Sequence, residues 1–203
     1  MEVVGPHDHP RITLDSIPLA SWMPAFDAGD MAGVAKIMLE STRLLAAAGA
    51  EVAICPDNSA HLAWPHLRDE TPIPWLHIVE VVGAEASARG FSRVGVLGTR
   101  FTMGGTLYSD VLSPMGIETL VPEGDDLDTV DDIIFAELVN GTFTDASRTA
   151  YVEIIGRLAD RGCDAVALAC TEIPLLVAPG DAPLPVLDST RLLASAALHH
   201  ALS

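Results

Sequence analysis

The chain alternates between short apolar runs and longer stretches with helical spacing. "AEVAICP" (50–56), "RVGVLGT" (93–99), "IETLVP" (117–122), "CDAVALACT" (163–171) and "LPVLDST" (184–190) are rich in Val, Ile, Leu and Ala. They show little alternation of apolar and polar positions, the signature of strands covered on both faces. "RITLDSIPL" (11–19) reads as one more short strand followed by a loop. Between these runs, "DMAGVAKIMLESTRLLAAAG" (30–49) has the spacing of a long amphipathic helix, with Asp30 placed to cap it and Gly49 to end it. A loop and helix follow in "IPWLHIVEVVGAEASARG" (73–90), and another helix in "GGTLYSDVLSPMG" (104–116). Two more are predicted at about 128–140 and about 145–161, the second closed by Gly162, and a last one in "STRLLASAALHHAL" (189–202).

Strands alternating with helices predict α/β architecture with mostly parallel strands. Such folds bind ligands beyond the carboxyl ends of their strands. Three strand ends carry polar clusters there, "CPDNSAH" (55–61), "GTRFT" (98–102) and "CTEIP" (170–174), and "DST" (188–190) joins them. Each alone reads as an ordinary loop with a helix cap; four together point to a site. "AGAEVAICPDN" and "RGCDAVALACTEI" also repeat one grammar: Gly, small residue, acid, apolar strand, Cys, polar cluster. Two similar halves facing each other would put one polar strand end on each side of a substrate. That suits a reaction in which a proton leaves one face of a carbon and returns on the other.

Composition narrows the partners. The 203 residues carry a formal charge of −17, which argues against nucleic acid, since no basic stripe exists to neutralise phosphates, and does not favour an anionic membrane surface. Acids cluster in "EGDDLDTVDD" (123–132), read as a solvated loop and helix start. Cys55, Cys163 and Cys170 are odd in number and spaced for neither a disulfide framework nor zinc, so a reduced, cytoplasmic compartment is expected. Cys163 lies at a helix-to-strand junction and reads as structural. "MEVVGPHDHPRITL" has no apolar core of a signal peptide, and no apolar run is long enough to span a bilayer. No metal cluster and no phosphate loop is visible, so no cofactor is expected.

"CPDNSAH", "GTRFTMGGTLY", "ALACTEIPLL" and "PVLDST", in that order, resemble the aspartate/glutamate racemase family, the cofactor-independent amino-acid racemases. "CTEIPLL" is the most specific piece. The resemblance implies two pseudo-symmetric α/β lobes with the active site in the cleft between them: residues 1–90, residues 91–185, and a C-terminal helix (186–203) packing back on the first lobe. It implies a small amino-acid substrate, an acidic one such as aspartate or glutamate, and a homodimer. In the family two thiols flank the α-carbon, one removing the α-proton and the other donating to the opposite face. Cys170 stands where the second thiol belongs. Glu172 matches an acid that orients the thiol or meets the substrate ammonium. Asn58, Ser59, Thr99, Thr102 and Thr171 match donors for the substrate carboxylate, and Arg100 is the candidate to meet a side-chain carboxylate.

The first thiol usually precedes an Asn-Thr pair. Here the pair is Asn58-Ser59, the residue before it is Asp57, and Cys55 lies two positions earlier. Two arrangements are open: Asp57 and Cys170 as an unequal acid–base pair, or a rearranged loop in which Cys55 serves. The reading leans to Asp57. His61 reads as a locally hydrogen-bonded histidine at a helix start. The family's first strand, with its Gly-rich loop, is expected before "HPRITLDS" and is missing from this chain. Gly104 and Gly105 stand where polar side chains are often found, and Arg191 to Leu193 occupy a region that often holds a histidine. A one-thiol relative, such as an arylmalonate-type decarboxylase, and a catalytically silent binding protein are the competing expectations.

Overall fold

The computed structural model describes residue 5 and residues 8–203. The expectations about the chain start before Pro10 fall largely outside the described residues.

Helix α1 (Leu19–Asp27) follows Pro18, and α2 (Met31–Ala47) is capped by Asp30, whose carboxylate accepts the Gly33 N–H at 2.9 Å. A 3-10 turn (Ser59–Ala63) runs into α3 (Trp64–Leu67). These helices share one apolar cluster around Phe26, Val34, Met38, Ala60 and Leu67. Next come α4 (Ile78–Ala88), β1 (Arg93–Gly98), α5 (Arg100–Met103), α6 (Leu107–Leu112) and β2 (Glu118–Leu120). The rest is α7 (Asp125–Ala136), α8 (Asp145–Asp160), β3 (Ala165–Ala169), α9 (Ile173–Leu176), β4 (Val186–Asp188) and α10 (Ser189–Ala201).

The four strands form one parallel sheet in the order β2-β1-β3-β4. Its two central strands divide their side chains by alternation even though both faces are apolar. Val94, Val96, Ala165, Ala167 and Ala169 pack with α4, α6 and α10 on one side. Leu97, Val166 and Leu168 pack with α7 and α8 on the other. A strand buried on both faces has no solvent side, so its sequence reads as an unbroken apolar run. From α8, Tyr151, Ile154, Ile155 and Leu158 are each at most 1% exposed. Burying each stabilises by about 1.5–3 kcal/mol as an upper figure.

Two expected strands are not strands. Residues 11–18 have no regular structure, and Ile12 and Leu14 are 81% and 83% exposed. A strand needs an edge to pair with, and among the described residues this segment has none. At 50–56 only Ala53 makes a parallel bridge, to Trp75, through Ala53 N–H to the Pro74 carbonyl (2.9 Å) and Leu76 N–H to the Ala53 carbonyl (3.1 Å). Pro74 has no N–H to offer the Glu51 carbonyl on one side, and on the other the Ile78 N–H goes to His61 Nε2, which ends the ladder at one pair.

Gly98 closes β1 where a side chain would not fit. A Cβ there would stand 2.9 Å from the Ala169 carbonyl oxygen and 3.3 Å from the Ala169 and Thr102 Cβ atoms. The bare backbone lets β1 and β3 end side by side, so Thr99 and Cys170 leave the sheet as neighbours.

Candidate active site

Beyond the carboxyl ends of β1 and β3 lies a cavity of about 220 Å³. Its polar wall comes from three chain segments. The loop after Ala53 supplies Asp57, Asn58 and Ser59; the end of β1 supplies Thr99; the end of β3 supplies Cys170, Thr171 and Glu172. The rest of the lining is largely apolar, from α1 (Met23, Phe26), α5 (Phe101) and α7 with the turn after it (Ile134, Phe135, Val139).

Each polar group is held by its own local structure. Asp57 Oδ1 accepts the Ala60 N–H at 3.2 Å, closing the turn that starts the 3-10 helix. The Asp57 carbonyl is 2.8 Å from His61 Nδ1, and the Ile78 N–H points at His61 Nε2 at 3.4 Å. Since Nε2 accepts from Ile78, Nδ1 carries the proton and donates to Asp57. The Asn58 amide donates to Ser189 Oγ at 2.9 Å and accepts from the Tyr108 hydroxyl at 2.8 Å, while Ser189 donates to the Leu168 carbonyl. The hydroxyls of Ser59, Thr99 and Thr102 form a cluster, with Ser59 at 2.9 Å and 3.1 Å from the other two. Glu172 Oε2 accepts from both the Cys170 thiol (3.0 Å) and the Thr171 hydroxyl (2.6 Å).

The electrostatics follow from burial. Desolvation pushes the Asp57 carboxyl above the usual range; the Ala60 and Ser59 N–H groups oppose this, and the Glu172 charge adds to it. Burial also pushes the Cys170 thiol up strongly, reinforced by the hydrogen bond to Glu172 and by its charge. The cavity therefore disfavours further negative charge, and a cation within it would lower both values.

Among the residues singled out from sequence, the cavity gathers Asp57, Asn58, Ser59, Thr99, Cys170, Thr171 and Glu172. Three others lie elsewhere. Cys55 packs against the helical cluster of α1 and α2, and burial and then the Asp57 charge push its thiol up to about 12. Thr102 is buried behind the wall on Ser59. Arg100 faces away: its backbone N–H donates to Asp131 at 2.6 Å and its guanidinium pairs with Asp128 at 2.9 Å and Asp131 at 3.4 Å. Sequence reasoning missed the orienting pair Tyr108 and Ser189 and the whole apolar wall. Tyr108 and Ser189 sat inside quoted motifs, "GGTLY" and "DST". The wall had no signal, because its side chains look like ordinary core.

The fold has close counterparts. The crystal structure of a proposed Asp/Glu racemase from Yersinia pestis superposes with a TM-score of 0.90 at 32% identity, covering 98% of this chain and 87% of that one. An aspartate racemase homologue from Pyrococcus horikoshii superposes with a TM-score of 0.86 at 28% identity, covering 100% and 88%. A glutamate racemase from Deinococcus radiodurans is 29% identical over 131 residues, covering 62% of this chain and 42% of that protein. The chain spans about half the length of the curated glutamate racemases it matches. Residues 2–197 match the Asp/Glu/hydantoin racemase family model, and with the order of the polar motifs and the shared α/β fold this decides the affiliation: the chain belongs to the Asp/Glu/hydantoin racemase family.

Proposed function

We propose that the protein is a cofactor-independent amino-acid racemase in which Asp57 and Cys170 handle the proton on opposite faces of the α-carbon. The observation that carries this reading is that Asp57 and Cys170 line one cavity while Cys55 lies outside it. The activities named for the relatives make aspartate and glutamate the first substrates to test.

The cycle starts from the state with a carboxylate on Asp57 and a thiol on Cys170. Asp57 takes the α-proton of one enantiomer. The C–H electron pair moves into an enediolate on the substrate carboxylate, and the Cys170 S–H delivers its proton to the other face to form the new C–H bond. This leaves a protonated Asp57 and a thiolate. That state runs the reverse reaction on the other enantiomer or resets by exchange with solvent. Both groups sit in an anion-averse cavity, and the substrate ammonium between Asp57 and Glu172 makes their charged forms accessible. Hydroxyls of the Ser59–Thr99 cluster and N–H groups at the strand ends are placed to meet the developing oxyanion. The three unpaired cysteines fit a reducing, cytoplasmic setting, and a homodimer is the assembly that the resemblance implies.

Proton NMR in deuterated water tests the mechanism on each enantiomer. Asp57→Asn and Cys170→Ala should each lower racemisation by at least about a hundredfold. Each should keep solvent exchange, without inversion, for one enantiomer, and the two variants should keep opposite ones. Cys55→Ala should stay near wild type. Loss of racemisation in Cys55→Ala with retention in Asp57→Asn would reverse the assignment.

A further inference from the structure

The two walls of the cavity differ in kind, and the difference bears on which amino acid fits. Resting on the racemase reading above, we infer that the substrate is an α-amino acid with an apolar side chain, aryl or branched alkyl, rather than a second carboxylate.

Three observations converge. First, beside the acids the cavity is lined by Met23, Phe26, Phe101, Ile134, Phe135 and Val139. The Phe26 and Phe101 rings pack at 5.3 Å between centroids, a surface matched to aryl or branched alkyl groups. Second, among the described residues no lysine, arginine or histidine lines the cavity. Arg100, the one cation that sequence places beside a strand end of the site, is spent on Asp128 and Asp131. Third, the donors on the polar wall are largely committed. Thr171 donates to Glu172, the Asn58 amide is held by Tyr108 and Ser189, and the Ser59, Thr99 and Thr102 hydroxyls bond one another. What remains suffices for one carboxylate, the one on the reacting carbon. A side-chain carboxylate would lie against hydrocarbon, without a counter-charge, in a space that already holds Asp57 and Glu172. Burying such a charge unpaired is costly, whereas an apolar side chain gains by leaving water.

The test offers both enantiomers of phenylglycine, leucine, methionine, aspartate and glutamate to the intact protein in deuterated water, and measures binding of the same compounds by calorimetry. The expected result is α-proton exchange and inversion of the apolar amino acids with kcat/KM at least about tenfold above that for aspartate and glutamate. Met23→Arg changes a half-buried wall position without opening the core, and should shift that preference at least tenfold toward aspartate. Turnover of aspartate or glutamate in preference to the apolar set would overturn the inference while leaving the racemase reading intact. Exchange with none of them would count against the racemase reading. In that case calorimetry still decides the side-chain question: tighter binding of phenylglycine or leucine supports it, and tighter binding of the dicarboxylates sinks it.

Discussion

His61 shows how one side chain can serve two distant parts of the site. It lies one turn beyond Asp57, donates to the Asp57 carbonyl, and accepts from the N–H that begins α4. It is 1% exposed, and burial lowers its pKa to about 4; His77, whose ring lies 4.6 Å away, is lowered to about 3 by burial and by His61. In the unfolded chain both would titrate near 6.5. As pH falls below that value the unfolded state takes up protons that the folded state refuses. Stability is therefore fully present above about pH 6.5 and is lost as pH falls toward the folded values, by about 3 kcal/mol at pH 4 from His61 alone. Urea midpoints at pH 7.5 and 4.5 measure this, and His61→Gln, whose amide can both donate and accept, should flatten the dependence. A flat wild-type profile would show that His61 is not held neutral. Because His61 grips the Asp57 carbonyl, His61→Ala should also remove solvent exchange on the Asp57 face while sparing the Cys170 face. Equal loss on both faces would mean that it merely supports the fold. From sequence this histidine read as a local helix-start partner. That holds for the Asp57 bond, four residues away, but the bond to Ile78 depends on a chain reversal that spacing does not reveal.

Among the elements, the sheet was the most legible. β1, β2, β3 and β4 all fall within the predicted apolar runs, and Gly116 and Gly162 end their helices with φ of 78° and 87°. The failures lie before residue 56, where apolar runs lack a paired edge. Hydrophobicity reports that a segment is buried, but pairing requires a neighbour with free donors, and beside Ala53 the neighbour offers Pro74, which has none, and Ile78, whose N–H goes to His61. At the site, strand ends carry the function, and small changes there should be felt. Gly98→Ala places a methyl 2.9 Å from the Ala169 carbonyl, one residue before Cys170. It should cost about 1–3 kcal/mol of stability and lower kcat more than it raises KM, since the thiol is displaced while the binding walls remain. Denaturation and steady-state kinetics separate the two effects, and an unchanged kcat would show that the strand ends tolerate the shift. Ser189→Ala removes the acceptor for Asn58 and the donor to Leu168 at the start of α10. Leaving two buried polar groups unpaired should cost about 1–3 kcal/mol each, read as a lowered urea midpoint.

For the whole molecule, a charge of −17 sets a background against which individual ion pairs are minor. The arginines are distributed over exposed acids, as in Arg157 with Asp126 (2.6 Å) and Arg161 with Glu123 (2.6 Å). Such pairs contribute little, and general repulsion among the remaining carboxylates opposes compaction. Raising NaCl from about 10 mM to about 500 mM screens both, and the balance should favour the fold by about 1 kcal/mol, or about 2–4 °C in Tm. A fall in Tm would show that the surface pairs outweigh the repulsion. The sequence by itself determined the α/β class, the parallel strands, and the polar clusters that hold Asp57 and Cys170. All of these follow from local patterns: apolar runs, caps, and short motifs at fixed spacing. Only the tertiary structure decided that Asp57 lines the cavity and Cys55 does not, that Arg100 turns away to α7, and that apolar side chains from α1, α5 and α7 complete the lining. Each of those depends on which distant segments meet in space, and the hydrophobic effect that brings them together is non-directional, so it leaves no local mark on the chain.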